Sequence, residues 1–220
     1  MSMVITREIA QKVREVVDAG LVKGIGTAEP GKMCVEAAVC FALELPHGDD
    51  PGCVSPALRR LKIRLNDSSW SSDAARAAGM RRLAIAQLGS KDALDEQEFA
   101  RRVVDITIRK VVPVALRVAA QKNPKHAESL EAVAQRCEKE GTREAAAYAA
   151  NAAYAANAAY AANAAYAAAH TAAYAAANAA AYAANYDQFL SQFAEWVVEI
   201  LIDMNAPGCQ WLDLVPKETE

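Results

Sequence analysis

The chain has 220 residues, 53% of them hydrophobic, with a formal net charge of −3 and a pI near 5.7. That is ample apolar content for one large or two small domains, and the acidic balance argues against a protein that coats nucleic acid through general positive charge. The opening residues are amphipathic without an apolar signal core, and the one long charge-free stretch is too rich in alanine and asparagine to read as a membrane span, so a cytoplasmic location is expected.

Thr6 to Ala19 carries Ile9, Val13, Val16 and Val17 at helical spacing, with Thr6 placed to cap the helix and Gly20 to close it. The GLVKGIGTAEPGK that follows reads as a loop; its Gly24-Ile25-Gly26 follows no strand and lacks the third glycine of a dinucleotide fingerprint. Lys32 to Glu44 forms a second helix, stopped by Pro46, in which Glu36 sits among Cys34, Val35, Ala37, Ala38, Val39 and Cys40. An acid in such surroundings needs a partner if it is buried. His47, Asp49 and Asp50 follow in a turn-rich loop. Ser55-Pro56 opens a third helix to Leu65, with Leu58, Leu61 and Leu65 on one face and Arg59, Arg60, Lys62 and Arg64 crowding the rest. Ser71, Ser72 and Asp73 compete to cap a helix that runs to Leu88, where Gly89 ends it. A helix from about Asp95 contains Pro113, where a kink or break is expected. Asn123-Pro124 separates it from a helix over Ala127 to Glu140, closed by Gly141 before Thr142 caps the next.

From Ala145 to Ala184, 28 of 40 residues are alanine and none is charged, with Tyr-Ala-Ala-Asn-Ala-Ala recurring from Tyr148 through Tyr154 and Tyr160 to Tyr166. Alanine favours helix over strand, and a six-residue step rotates each tyrosine by roughly −120°, so this helix is apolar on every side. Carried through to Asp203 it would be about 90 Å long, far beyond a compact radius of gyration of about 17 Å. It is therefore expected either to break near His170 and Thr171 or to serve as the seam of a homo-oligomer. The fold class expected is all-α, a multi-helix bundle divided into 1–141, an alanine-rich segment 142–204 and a tail 205–220 whose Trp211 and Leu212 dock back.

Several constellations bear on function. The five cysteines are odd in number and read as reduced thiols rather than a disulfide framework. Cys34, Cys40, His47 and Cys53 are zinc-ligand types, but Cys34 and Cys40 are about 240° apart on a helix and no short Cys-x-x-Cys knuckle occurs, so no metal is assigned. His47 beside Asp49 has the chemistry of a base, and Cys34 or Cys53 that of a nucleophile, without a nucleophile motif around them. Ser72 to Leu88 fits helix-turn-helix spacing at Ala75, Gly79, Ile85 and Leu88, while a single helix tolerating Gly79 is the simpler reading. Between Arg59 and Arg82 seven cations face only Asp67 and Asp73, beside a Ser71-Ser72 helix start whose backbone N–H groups favour an anion and a Trp70 able to stack.

At MCVEAAVCFALELPHGDDPGCVSPALRRLKIRLND, WSSDAARAAGMRRLAIAQLGS and the closing PGCQWL, the chain resembles a family of uncharacterised proteins from bacteria and phages. The resemblance spans roughly the first 90 and last 15 residues and brings no activity with it. It implies that 33–89 is the functional unit and that a phage accessory role fits. Together these readings lead us to expect non-catalytic binding of an anionic, nucleotide-like small molecule, without cofactor, by an oligomer. Glu36, His47, Asp49, Asp50, Arg59, Arg60, Trp70, Ser71, Ser72 and Arg76 form the expected ligand set. The competing expectations are a DNA-binding regulator using 72–88 and a metal-assisted hydrolase using the His47–Asp50 loop.

Overall fold

In a computed structural model, which describes residues 4–122, 124–155 and 186–217, every regular element is helical; one isolated bridge pairs Gly26 with Met33. The elements are α1 (Arg7–Asp18), α2 (Val35–Ala42), α3 (Pro56–Asn66), α4 (Asp73–Ala86), α5 (Glu96–Ile106), a π-helical turn (Thr107–Val111), α6 (Val112–Lys122), a short 3-10 turn (Pro124–His126), α7 (Ala127–Glu140), α8 (Arg143–Ala155), α9 (Tyr186–Asp203) and a C-terminal 3-10 segment (Pro207–Leu214). The all-α expectation holds.

Caps written in the sequence set most of these boundaries. The Thr6 hydroxyl accepts from Ile9 N at 3.4 Å, Ser72 Oγ from Ala75 N at 3.0 Å, and Thr142 Oγ1 from Ala145 N at 3.1 Å, each satisfying an orphan donor of a first turn. Pro56 begins α3, where its missing N–H costs nothing. At the expected disruption near Pro113 the helix widens into the π turn and restarts at Val112, leaving the proline in a first turn.

The chain forms two compact units, Met1–Phe99 with Leu190–Glu220 and Ala100–Phe189. In the first, α1 packs on α2 and α4, and α2 packs on α3. Val13, Val17, Val39, Leu58, Met80 and Leu83 are fully buried there. The tail docks as expected: Gly208 lies so close to the end of α4 that a Cβ would meet Ile85 O at 2.4 Å and Ala86 O at 2.7 Å, a contact only glycine allows. Arg7 of α1 pairs with Asp213, and its guanidinium carbon lies 5.9 Å from the Trp211 ring centroid.

In the second unit α6, α7 and α8 share a core of Val112, Leu116, Leu130, Ala134, Cys137 and Ala149. Arg109, projecting from the π turn, donates to the carbonyls of Glu138, Lys139 and Glu140 at 2.7–2.8 Å and so caps the end of α7. The described part of the alanine-rich stretch, α8, is helix as expected, but it is not buried all round. Ala145, Ala146, Ala149 and Ala153 face inward, whereas Tyr148 is 54% exposed beneath Arg136 and Asn151 is exposed. The expected length to Asp203 and the break near His170 and Thr171 lie outside the described residues.

Candidate functional site

The expected ligand set divides into three groups in the structure. Glu36, on the inner face of α2, is fully buried, and its partner is Lys62 of α3, Oε1 to Nζ 3.1 Å, also fully buried. Burial raises the Glu36 pKa and lowers that of Lys62, and each charge partly offsets the other's shift. Cys34, Cys40 and Cys53 lie in the field of this pair. Burial pushes all three thiols up, Cys40 to about 11, which is the reverse of what a nucleophilic thiolate requires. Cys34 serves as the cap of α2, its sulfur accepting from Ala37 N at 3.4 Å.

The second group is the surface cluster above that pair. Arg59 of α3 binds Asp50 at 2.5 Å and lies 4.0 Å from Asp49, and the guanidinium holds the Asp50 carboxyl below its usual range. His47 has a different partner, its Nε2 lying 3.2 Å from Gly26 O. Arg60 and Arg64, a turn apart on α3, are exposed and form no ion pair among the described residues. No group of three or more His, Cys, Asp and Glu side chains among the described residues is arranged to hold a metal, so the loop offers the hydrolase reading no ready-made ion site.

The third group corrects the expected pocket. Arg76 does not reach back to an open helix N-terminus; it is buried, donating from Nε to Asn66 O at 2.8 Å and from Nη1 to Leu21 O at 3.0 Å, and it pairs with Asp73. Trp70 is buried, its indole N–H donating to Leu65 O at 2.9 Å, with its ring under Gly79. Both side chains are committed to the fold. Ser72 caps α4, and Ser71 is exposed. The simpler reading of Ser72 to Leu88 holds and the competing helix-turn-helix does not: α4 is one continuous helix, and Gly79 is there because Trp70 Cη2 lies 2.4 Å from where a Cβ would stand.

A groove of about 560 Å³ runs along α4, floored by Ala74, Ala77, Ala78 and Gly79. Arg81, Arg82 and Lys217 line it together with Asp18, Asp73 and Glu195. Arg81 meets Asp18 through two nitrogens, Nε to Oδ1 2.6 Å and Nη2 to Oδ2 2.8 Å, with both side chains about a third exposed. Arg82 holds Glu195 of α9 at 3.0 Å and also donates to Val215 O, which ties the tail to the groove. Compared with family models, curated proteins and solved structures, the chain matches none.

Sequence reasoning placed Lys62 with Arg59, Arg60 and Arg64, off the leucine face of α3. Its position contradicts that: Leu58, Lys62 and Leu65 fall at i, i+4 and i+7, the spacing of the face that α3 buries. The groove cations were not legible as a set, because Arg82 is completed by Glu195, 113 residues later.

Proposed function

We propose that the chain binds, without turning it over, a small polar molecule that carries an anionic group and is nucleotide-like in size, in the groove along α4. The observation that carries this reading is the groove itself. Its volume lies in the usual range for small-molecule sites, its alanine and glycine floor admits a flat body, and Arg81, Arg82 and Lys217 stand on its walls. Asp18, Asp73 and Glu195 favour an occupant that also presents hydrogen-bond donors or a positive group, as a nucleotide or zwitterion does. Arg81 is the cation most able to change partner, since its bond to Asp18 is about a third exposed and such partly exposed pairs hold only about 0–1 kcal/mol. Sequestration by a phage accessory protein is the biological setting that the resemblance suggests.

Self-association along the alanine-rich stretch belongs to the same reading, supported by the outward-facing Tyr148 and Asn151 of α8. Light scattering at micromolar concentration tests it, and a monomer there would refute it.

For the groove, small molecules released by denaturing the purified protein are identified by mass spectrometry and titrated back by calorimetry, beside a panel of nucleoside phosphates. Arg81→Ala should weaken binding by about 1.5–3 kcal/mol while leaving the helical spectrum intact. An unchanged affinity in that variant, or no binding across the panel and no released molecule, would refute the groove.

A further inference from the structure

Val215, Pro216 and Lys217 lead from the C-terminal 3-10 segment to the groove along α4, where Pro216 and Lys217 join the lining. The two ends of this short stretch are held very differently. At its root Val215 is fully buried; its N–H donates to Leu212 O at 3.1 Å and its carbonyl accepts from Arg82 Nη1. Arg82 is itself fixed on Glu195, with both side chains less than a fifth exposed. At its tip, Lys217 forms one ion pair among the described residues, Nζ to Glu199 Oε1 at 3.5 Å, and both side chains are half exposed or more.

Glu199 stands one turn beyond Glu195 on α9 and is not part of the groove lining, whereas Lys217 is. An ammonium that lines the groove is therefore drawn to a partner outside it. Between root and tip lies Pro216, which has no N–H, and neither it nor Lys217 forms a backbone hydrogen bond among the described residues. The tip can shift without breaking one.

We infer that 215–217 is a strap that closes on an anionic occupant of the groove: Lys217 exchanges Glu199 for the occupant's anionic group, while Val215 stays on Arg82. This rests on the groove reading above and concerns the regulation of that same site. An exposed ion pair contributes little, whereas a charge-assisted bond to an anion held beside Arg81 is stronger, so the occupant draws Lys217 inward. The flexible four-carbon stem of the lysine supplies the reach. Arg82 keeps its place, because leaving Glu195 would orphan a mostly buried carboxylate.

The test titrates the full chain, by calorimetry, with AMP, GMP, CMP and UMP, and with the corresponding nucleosides as neutral controls. Lys217→Met should weaken the tightest nucleotide about tenfold and leave its nucleoside unchanged. Glu199→Gln, which removes the resting partner outside the groove, should strengthen that nucleotide about threefold. Acetylation of Lys217 by a succinimidyl ester, read by mass spectrometry, should slow when the nucleotide is bound. If Arg81→Ala weakens binding but Glu199→Gln leaves it unchanged, the groove stands and the strap is overturned, with Lys217 no more than a fixed cation of the lining. Tighter binding in Lys217→Met would overturn it as well, since the tail would then be an obstacle. A wild type that binds none of the four nucleotides refutes the groove and the strap with it.

Discussion

Breaking the Glu36–Lys62 pair from one side should cost far more than removing it altogether. Both groups are fully buried, so whichever remains after a single substitution must give up its charge or be left unpaired. In Lys62→Met, Glu36 can escape by binding a proton. At pH 7 this costs at most roughly 1.4 kcal/mol per pH unit above an ordinary value of 4.5, about 3.4 kcal/mol. In Glu36→Leu, Lys62 can escape by losing a proton, at most about 4.8 kcal/mol measured down from 10.5. The double Glu36→Leu, Lys62→Met variant leaves neither charge and should be as stable as wild type or more so by about 1–4 kcal/mol. Urea unfolding followed by circular dichroism at several pH values measures all four proteins.

The sign of the pH dependence follows from the directions of the two shifts. The Glu36 pKa is raised, so its contribution is fully present below about 4.5 and is lost as pH rises through the folded value. The Lys62 pKa is lowered, so its contribution is fully present above about 10.5 and is lost as pH falls through the folded value. The advantage of the double variant should therefore be largest near neutrality, and the penalty of Lys62→Met should shrink towards pH 4.5. A Lys62→Met protein within about 0.5 kcal/mol of wild type at pH 7 would refute the reasoning, since an orphaned buried carboxylate cannot be that cheap.

Three further outcomes are expected. Gly79→Ala should lower the melting temperature although alanine is the better helix former by about 1 kcal/mol, because its methyl would stand 2.4–2.5 Å from Trp70 ring atoms, and overpacking typically costs about 1–3 kcal/mol. Arg109→Met should destabilise the 100–189 unit by about 1–3 kcal/mol through loss of its three carbonyl contacts, with faster amide exchange appearing first at the end of α7. At pH 8 a thiol reagent should leave Cys34, Cys40, Cys53 and Cys137 untouched in the native protein and label only the half-buried Cys209, slowly, since burial holds its thiol up at about 11; all five should react on unfolding.

What could be read from the sequence was what is decided within a few residues. Thr6, Ser72, Thr142 and Gly141 each act on the turn beside them, and their helices begin or end there. Pro113 likewise disrupts its own helix. Side-chain destinations decided by tertiary packing were not legible. Arg76 was expected to face a ligand because it sits one turn into α4, yet the carbonyls of Leu21 and Asn66 claim it, and neither is implied by local sequence. Gly79 offered a turn or a tolerated glycine, and only the position of the Trp70 ring decides between them. Glu36 was recognised as needing a partner, but Lys62 was hidden among three neighbouring cations, Arg59, Arg60 and Arg64, until burial singled it out.

The unit made of 1–99 and 190–220 encloses the other along the chain, and this has a consequence during synthesis. The contiguous 100–189 unit is complete once its own residues have emerged, whereas α4 must wait for Glu195 and then for Gly208 to cover its end. At roughly 5–20 residues per second, the 113 positions from Arg82 to Glu195 take about 6–23 s. For that interval the nascent chain carries a half-built helical layer in which the end of α4 is not yet covered by the 3-10 segment, an opening for chaperones or for mispairing with another nascent copy.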